Sequence, residues 1–332
     1  MLAPRLKLGD VIAVFSPSAP VTANTPVRYL RGKTYLENQG FRVLEGALTG
    51  KRDFYRSGSI AARAEELNAL LRNPDVRCVM ASIGGMNSNS MLPYLDYDAI
   101  RRDPKIIIGY SDVTALLLGI YAQTGLTTYY GPAMAASFGE FPPLVDETFR
   151  YFETVACGKA EPPHRLPTPE AWTDEFVDWK TQSGPKSTRP NQLVTVHGGT
   201  ARGRLIGGNL NTMTGIWGSP YLPEIRPGDL LLIEDCLKDA ADIERSFSLL
   251  KINGVFDRIG GLILGKHEKF NDCGSGRAPW QILQEVMGEV DFPVLAEFDC
   301  CHTHPMLTLP IGVTAELDAD AKTLTLTEPF IG

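Results

Sequence analysis

Residues 105–113 have the sequence KIIIGYSDV, in which a short apolar run stops at Gly109 and polar residues follow at once. The run over 105–109 predicts a buried strand, and the apolar spacing over 113–124 predicts a helix directly after it. Ser111 therefore lies in a sharp turn at the carboxyl end of a strand, just before a helix begins.

The same alternation of strand and helix patterns extends outward in both directions from this turn. Strands are predicted over residues 10–17, 41–44, 77–83, 229–234, 259–265 and 293–298, and helices over 26–38, 60–72, 240–252 and 279–289. A strand over 200–209 and a closing hairpin over 313–328 complete the pattern. Short branched strands that alternate with helices indicate an α/β fold, with a parallel sheet covered on both faces.

The chain is expected to fold as two domains joined by a long connection. It has 332 residues, more than one typical hydrophobic core holds. Residues 162–190 are rich in prolines and charges and contain Trp172 and Trp179. A long irregular connection of this kind is usually functional. We predict an N-terminal α/β domain over 1–163, a linker and substrate loop over 164–192, and a C-terminal β/α domain over 193–332.

The composition excludes several classes of partner. The formal net charge is −7, so the surface repels phosphate backbones and nucleic acid is not an expected partner. No apolar run approaches the roughly 20 residues that a bilayer requires, and no signal peptide is recognisable. We therefore predict a cytoplasmic protein without a membrane partner. The six cysteines show no paired framework and are expected to be reduced.

Ser111 is the first candidate catalytic residue. A strand–turn–helix junction exposes a serine hydroxyl and places the backbone N–H of Asp112 at the positive end of a helix, where an oxyanion would be stabilised. The alternative is that Ser111 or Asp112 simply caps the helix. Val113 replaces the second glycine of the G-x-S-x-G elbow, which disfavours an ordinary α/β-hydrolase.

A serine nucleophile needs a base, and the base needs an orienting acid. Five histidines are present, and two of them lie in the segment DCCHTHP over residues 299–305. An alternative is a zinc site formed by Cys300, His302 and His304, although such close spacing strains a tetrahedral site. Glu234 and Asp235 follow an apolar strand and are both candidate acids, between which periodicity does not choose.

A second turn, with the sequence GGMNSNS over residues 84–90, follows the strand over 77–83. Paired glycines let a backbone approach a ligand closely, and the amides of such a turn can bind an anion. No Lys-Ser or Lys-Thr follows the glycines, so a phosphate loop is disfavoured. The Asn87-Ser88-Asn89 run indicates either specific hydrogen bonding or a helix cap.

Taken in order, these motifs resemble those of the LD-carboxypeptidases. The resemblance rests on the segments GG, GYSD, GGNL, IED and HTHP at residues 84–85, 109–112, 207–210, 233–235 and 302–305, and it extends from residues 9–18 to 310–312. It implies an N-terminal flavodoxin-like domain with a parallel sheet and a C-terminal swivelling β/α domain, with the active site between them. It also implies a homodimer that needs neither a cofactor nor a metal.

The resemblance also implies roles for individual residues. Ser111, Glu234 and His302 would form a catalytic triad, because His302 matches the family histidine better than His304 does. Family members often have a glycine immediately before that histidine, and this chain has Cys301 at that position. The amides of Gly85 and Asp112 would form the oxyanion hole. Polar groups of the substrate would be bound by Asn87, Ser88, Asn89 and Asn209.

Two branches of the family suggest different substrates. One removes the terminal D-Ala from cytoplasmic murein tetrapeptides. The other, the microcin C self-immunity branch, cleaves the amide beside an acidic aminoacyl group in a peptidyl- or aminoacyl-nucleotide. The segment GGMNSNSMLPYLD over 84–96 and the linker containing Trp172 and Trp179 resemble the second branch, in which an aromatic residue stacks on the nucleobase. Without the resemblance, these tryptophans would be expected to pack at the domain interface. A two-domain binding protein without chemistry is the remaining alternative.

Overall fold

The computed structural model describes residues 1–300 and 302–332, so Cys301 lies outside the described residues. The strands of the described part are β1 (Val11–Phe15), β2 (Arg42–Glu45), β3 (Val76–Ala81), β4 (Ile106–Gly109), β5 (Thr128–Tyr130), β6 (His164–Arg165), β7 (Ala171–Trp172), β8 (Arg189–Pro190), β9 (Val194–His197), β10 (Thr200–Asn209), β11 (Leu230–Glu234), β12 (Gly261–Gly265), β13 (Val294–Phe298), β14 (Leu309–Ile311), β15 (Thr314–Asp318) and β16 (Thr323–Leu326).

The first sheet has the strand order β14-β5-β4-β3-β1-β2. Strands β1 to β5 run parallel to one another, in the 2-1-3-4-5 order of flavodoxin-like folds. This confirms the predicted parallel-sheet N-terminal domain. The residues of β1 and β4 are all buried, as expected for central strands covered on both faces. One strand from the far end of the chain, β14, pairs antiparallel with β5 and ties the two halves together.

The helices are α1 (Val21–Asn24), α2 (Pro26–Asn38), α3 (Ile60–Arg72), α4 (Tyr97–Arg102), α5 (Thr114–Thr124), α6 (Leu144–Ala156), α7 (Leu210–Thr214), α8 (Ala240–Ile252) and α9 (Pro279–Met287). Local chemistry sets several of their ends. Ser59 and Asp239 accept N-terminal backbone hydrogen bonds of α3 and α8, and Gly125 ends α5 in the left-handed conformation. Within the described residues, no helix has both the length and the apolar character needed to cross a bilayer.

The second sheet has the order β6-β16-β15-β10-β11-β12-β13-β9. Its centre, from β10 to β13, is parallel, whereas the hairpin β15–β16 and strand β9 pair antiparallel at its two sides. This sheet forms the separate C-terminal α/β domain that was predicted. The linker contributes the edge strand β6 to this sheet. Its other two strands, β7 and β8, pair with each other in a short separate ribbon.

The two domains meet through the end of β10. A side chain at Gly208 would lie 2.8 Å from Thr114 Cγ2 and 3.1 Å from Tyr130 Cε2, so only glycine permits this approach. The next residue, Asn209, donates its backbone N–H to Thr114 Oγ1 at 3.0 Å. The carboxyl ends of β4, β10 and β11 are thereby brought to one place, which is where α/β folds build their sites.

Candidate active site

A cavity of about 360 Å³ lies where the carboxyl ends of these strands meet the linker. It brings together side chains from both domains and from the linker. The lining residues are Ala19, Ile83, Gly84, Gly85, Met86, Tyr110, Ser111, Glu175, Phe176, Val177, Trp179, Lys186, Asn209, Asn211, Thr212, Asp235, Cys236, Leu237, Lys238, Glu268, His302 and His304.

The turn that carries Ser111 is strained. Ser111 has φ of 62°, a left-handed conformation that is uncommon for residues other than glycine and that costs about 1–3 kcal/mol. Its backbone N–H donates to Tyr130 Oη at 3.3 Å. A side chain at Gly84 would lie 2.8 Å from Ser111 Cβ and 3.0 Å from Ser111 Oγ. The glycine turn therefore leaves open the space in front of the serine hydroxyl.

Glu234 and His302 form a buried, hydrogen-bonded pair. His302 Nδ1 lies 2.8 Å from Glu234 Oε2, and the Glu234 side chain is fully buried. The other carboxylate oxygen accepts from Tyr130 Oη at 2.5 Å and from Asn209 Nδ2 at 2.9 Å. Three partners therefore fix the carboxylate, and the carboxylate in turn fixes one nitrogen of the imidazole.

The charges of this pair support each other. Burial alone would raise the pKa of Glu234, but attraction to His302 and the hydrogen bonds from His302, Tyr130 and Asn209 hold that pKa below its ordinary value. Burial opposes the charged form of His302 as well, yet the attraction of Glu234 holds the pKa of His302 well above 6.5. The site thus favours a carboxylate beside an imidazolium.

Asp235, the second acid of the IED segment, has a different position. Its carboxylate accepts the backbone N–H groups of Asn211 at 3.2 Å and Cys236 at 2.9 Å. Burial and the neighbouring charge of Glu234 raise the pKa of Asp235 to about 6. The structure therefore pairs Glu234, and not Asp235, with the imidazole, a choice that sequence periodicity left open.

Ser111 and His302 line the same cavity from opposite domains. Among the described residues, no hydrogen bond joins Ser111 Oγ to the imidazole, whose ring packs edge-on against Tyr110 with centroids 4.9 Å apart. The His302 ring also interacts with the Cys236 thiol. Catalytic hydrogen bonds are often long without substrate and tighten when it binds.

Two backbone amides remain available beside Ser111. Neither the Gly85 N–H nor the Asp112 N–H donates to another residue in the described part of the chain. The Asp112 carboxylate accepts the N–H groups of Asn87 at 3.0 Å and Ser88 at 2.9 Å, and Ser88 Oγ donates to the Asp112 carbonyl at 2.5 Å. These bonds hold the glycine turn against the serine turn, so that both free amides stay near Ser111.

The predicted substrate-binding residues divide into two groups. Asn209 and Trp179 line the cavity, whereas Asn87, Ser88, Asn89 and Trp172 are not among its lining residues. The Asn87 side chain accepts from Ser18 and Arg63, and Asn89 donates to the Gly215 carbonyl at 3.1 Å.

Trp172 lies outside the cavity, with the Arg189 guanidinium 3.9 Å from its ring centroid and Lys266 Nζ at 5.3 Å. Trp179 is backed by the Arg28 guanidinium at 4.3 Å. Of the two tryptophans, Trp179 therefore has the position from which an aromatic ring could meet a bound molecule.

Several residues of the site were missed by the sequence analysis. Lys238 and Asn211 line the cavity. Asn211 directly follows the GGNL segment and Lys238 lies three residues after the IED segment, so their proximity to these motifs could have indicated them. Lys186, Glu268 and Tyr130 had no such signal. No three His, Cys, Asp or Glu side chains among residues 1–300 and 302–332 come together as a metal-binding group. His302 was one of the three ligands of the alternative zinc site, but its Nδ1 is hydrogen-bonded to Glu234.

Comparison with known proteins places this chain in a recognised class of peptidases. The N-terminal domain of the LD-carboxypeptidases matches residues 12–131, and the C-terminal domain of the same family matches residues 202–317. The chain therefore belongs to the LD-carboxypeptidase family, peptidase family S66.

Individual relatives narrow this assignment. A putative carboxypeptidase of Vibrio cholerae is 56% identical over 331 residues, covering 100% of this chain and 99% of that protein. The microcin C7 self-immunity protein MccF of Escherichia coli is 53% identical over 333 residues, covering 100% and 97%. A probable murein peptide carboxypeptidase of Bacillus subtilis is 26% identical over 325 residues, covering 96% and 92%.

Solved structures agree with the sequence matches. The structure of MccF without ligand superposes with a TM-score of 0.98 at 52% identity, and each chain is fully covered. MccF has also been solved in complex with aspartyl sulfamoyl adenosine, and that structure superposes with a TM-score of 0.98 at 52% identity over the whole of both chains.

Proposed function

We propose that this protein hydrolyses the amide bond next to an acidic aminoacyl group in a peptidyl- or aminoacyl-nucleotide, with Ser111 as nucleophile. The observation that carries the proposal is the 2.8 Å bond between Glu234 and His302 at a cavity that Ser111 also lines. Serine peptidases need a hydroxyl, a base and an orienting carboxylate at one place. The strained turn at Ser111 supports the same role, since such strain clusters at functional sites.

In this mechanism, His302 Nε2 removes the proton from Ser111 Oγ, which attacks the carbonyl carbon of the scissile amide. The oxyanion that forms is stabilised by the backbone N–H groups of Gly85 and Asp112. His302 then gives the proton to the departing nitrogen as the C–N bond breaks, which leaves an ester on Ser111. Water, deprotonated by His302, attacks the ester, releases the acid and restores the serine hydroxyl.

Glu234 contributes in two ways. It holds the proton of the imidazole on Nδ1, so that Nε2 is free to act as base, and it stabilises the imidazolium once the proton has moved. Because a base must be deprotonated and the pKa of His302 lies above 6.5, we expect kcat/KM to rise with pH through that pKa.

The lining of the cavity supports the nucleotide substrate. Lys238 and Asn211 offer a cation and an amide in the cavity wall, which suits an acidic aminoacyl group. Trp179 offers an aromatic ring that suits a nucleobase. MccF, the relative bound to aspartyl sulfamoyl adenosine, shares this fold over its whole length. A cytoplasmic location and a homodimer remain predictions from the sequence.

The second candidate is a murein carboxypeptidase that removes terminal D-Ala. The Bacillus subtilis relative, a probable murein peptide carboxypeptidase, supports this candidate. The two candidates are separated by measuring kcat/KM on an aspartyl-adenylate amide and on a tetrapeptide ending in D-Ala. We expect the nucleotide substrate to be preferred by at least about 100-fold, which corresponds to about 2.7 kcal/mol. Preference for the tetrapeptide would reject the nucleotide assignment and leave the triad intact.

Trp179→Ala tests the nucleobase contact. Stacking on an aromatic ring contributes about 1–3 kcal/mol, so we expect KM for the nucleotide substrate to rise roughly 5- to 150-fold while kcat changes little. Trp172→Ala is the matched control, because Trp172 lies outside the cavity, and its KM should stay within about twofold of wild type. Equal effects of the two substitutions would remove the nucleobase role from Trp179.

A further inference from the structure

Two buried polar side chains, those of Lys186 and His304, line the wall of the cavity. His304 is 5% exposed, and its Nδ1 is buried without a partner among the described residues. Lys186 is 9% exposed, and its Nζ forms an ion pair with Glu140 Oε2 at 3.6 Å. Buried polar groups are nearly always hydrogen-bonded, so an unpaired His304 nitrogen in a residue that lines a cavity points to a ligand there.

Both side chains are held firmly from behind. The backbone of His304 pairs with that of Thr173 through two hydrogen bonds, of 2.9 and 3.0 Å. Lys186 lies against Glu140, which also pairs with the Arg28 guanidinium at 3.0 Å. The wall is therefore rigid before anything binds, which lowers the entropic cost of binding.

The chemistry of this pair favours an anion. Burial and the positive charge of Lys186 lower the pKa of His304 to about 3, so its imidazole is neutral and carries one N–H donor. Lys186 adds three ammonium donors. Two carboxylates lie near this ammonium: Glu140 pairs with both Lys186 and Arg28, and Glu268 attracts Lys186. Because Glu140 is shared between two cations, the Lys186 ammonium keeps N–H donors for a further acceptor.

The pair lines the same cavity as the catalytic imidazole and Trp179. His304 is two residues beyond His302, and both line the cavity. Glu140 joins Lys186 to Arg28, which stacks on Trp179. In the proposed mechanism, His302 protonates the departing nitrogen and Trp179 meets the nucleobase, so the leaving group shares the cavity with this pair.

We propose that Lys186 and His304 form a subsite for the anionic group on the leaving side of the scissile amide, an inference that rests on the proposed function. Two sources would present this chemistry. In an aminoacyl-nucleotide it is the phosphoryl group between the amide and the nucleoside. In a peptide it is the carboxylate of the C-terminal residue.

Binding measurements on the full chain test the subsite without any catalysis. Calorimetry gives the affinity ratios of AMP to adenosine and of D-alanine to D-alaninamide. If the anion is a phosphoryl group, wild type should bind AMP at least about tenfold more tightly than adenosine, and Lys186→Met should bring that ratio near 1. If it is a carboxylate, the D-alanine ratio should fall instead. Lys180→Met, in the same linker but exposed, removes the same charge and should leave both ratios unchanged.

The proposal is overturned if neither ratio falls in a folded Lys186→Met protein, or if Lys180→Met lowers them equally. A second measurement on unaltered protein covers the case in which Lys186→Met misfolds. The NMR signals of the His304 imidazole should shift with AMP or D-alanine and not with adenosine or D-alaninamide, and no shift with either anion would also overturn it. Because no bond is cleaved in these experiments, an inactive enzyme that still shows the ratios would count against the proposed function alone.

Discussion

Ser111→Ala should lower kcat/KM on the aspartyl-adenylate amide by about 10⁴-fold or more, because removal of the nucleophile of a triad eliminates nearly all turnover. The side chain is small and only partly buried, and the strained backbone at φ of 62° is no worse for alanine than for serine. The protein should therefore keep its fold, and the loss should appear in kcat. Steady-state kinetics together with thermal unfolding would measure both.

Ser275→Ala serves as the matched control, since Ser275 is exposed and lies outside the cavity. It should retain wild-type activity. A folded Ser111→Ala protein that kept more than about a tenth of wild-type kcat/KM would exclude Ser111 as nucleophile. If substrate bound normally but neither Ser111→Ala nor wild type formed product, the chain would be a binding protein instead of an enzyme.

Glu234→Gln should lower kcat by about 10²- to 10⁴-fold, because an amide of the same shape no longer fixes the tautomer of His302 or stabilises its imidazolium. The change also alters the pH profile. In wild type, Glu234 raises the pKa of His302, so removing the negative charge lowers that pKa. The rising acid limb of the kcat/KM profile should therefore move to lower pH, even though the plateau is far smaller.

Asp235→Asn is the control for this substitution. Asp235 is the adjacent carboxylate, but it accepts backbone N–H groups and does not contact the imidazole. An asparagine oxygen can keep one of those two bonds, which go to different carboxylate oxygens, so we expect a loss of less than about tenfold. If Asp235→Asn lost as much activity as Glu234→Gln, or if the acid limb of Glu234→Gln stayed in place, Glu234 would not be the orienting acid.

Much of the fold could be predicted because its elements are encoded locally. The α2 helix begins at a proline, the α5 helix ends at a left-handed glycine, and the fully apolar β4 strand precedes the Ser111 turn. Strand β14 was not predicted as part of the first sheet. Three residues give no periodicity, and the pairing of β14 with β5 joins segments almost 180 positions apart.

The site was less accessible to sequence reasoning, because it depends on contacts between domains. Glu234 and Asp235 are adjacent carboxylates, and only the three-dimensional positions of Tyr130 and Asn209 show which one meets His302. The Asn87–Asn89 run looked suited to substrate, yet its hydrogen bonds go to the neighbouring turns. Polarity in a sequence does not distinguish a group that faces a cavity from one that supports its wall.

The claim that Ser111, His302 and Glu234 act as one unit is tested most directly by a double-mutant cycle on kcat/KM. Residues of a triad are strongly non-additive, because an orienting acid has nothing to activate once the nucleophile is gone. The double variant Ser111→Ala/Glu234→Gln should therefore be no slower than Ser111→Ala alone, within about threefold. Losses that multiply, so that the double variant is slower than Ser111→Ala by the full factor of Glu234→Gln, would contradict this account.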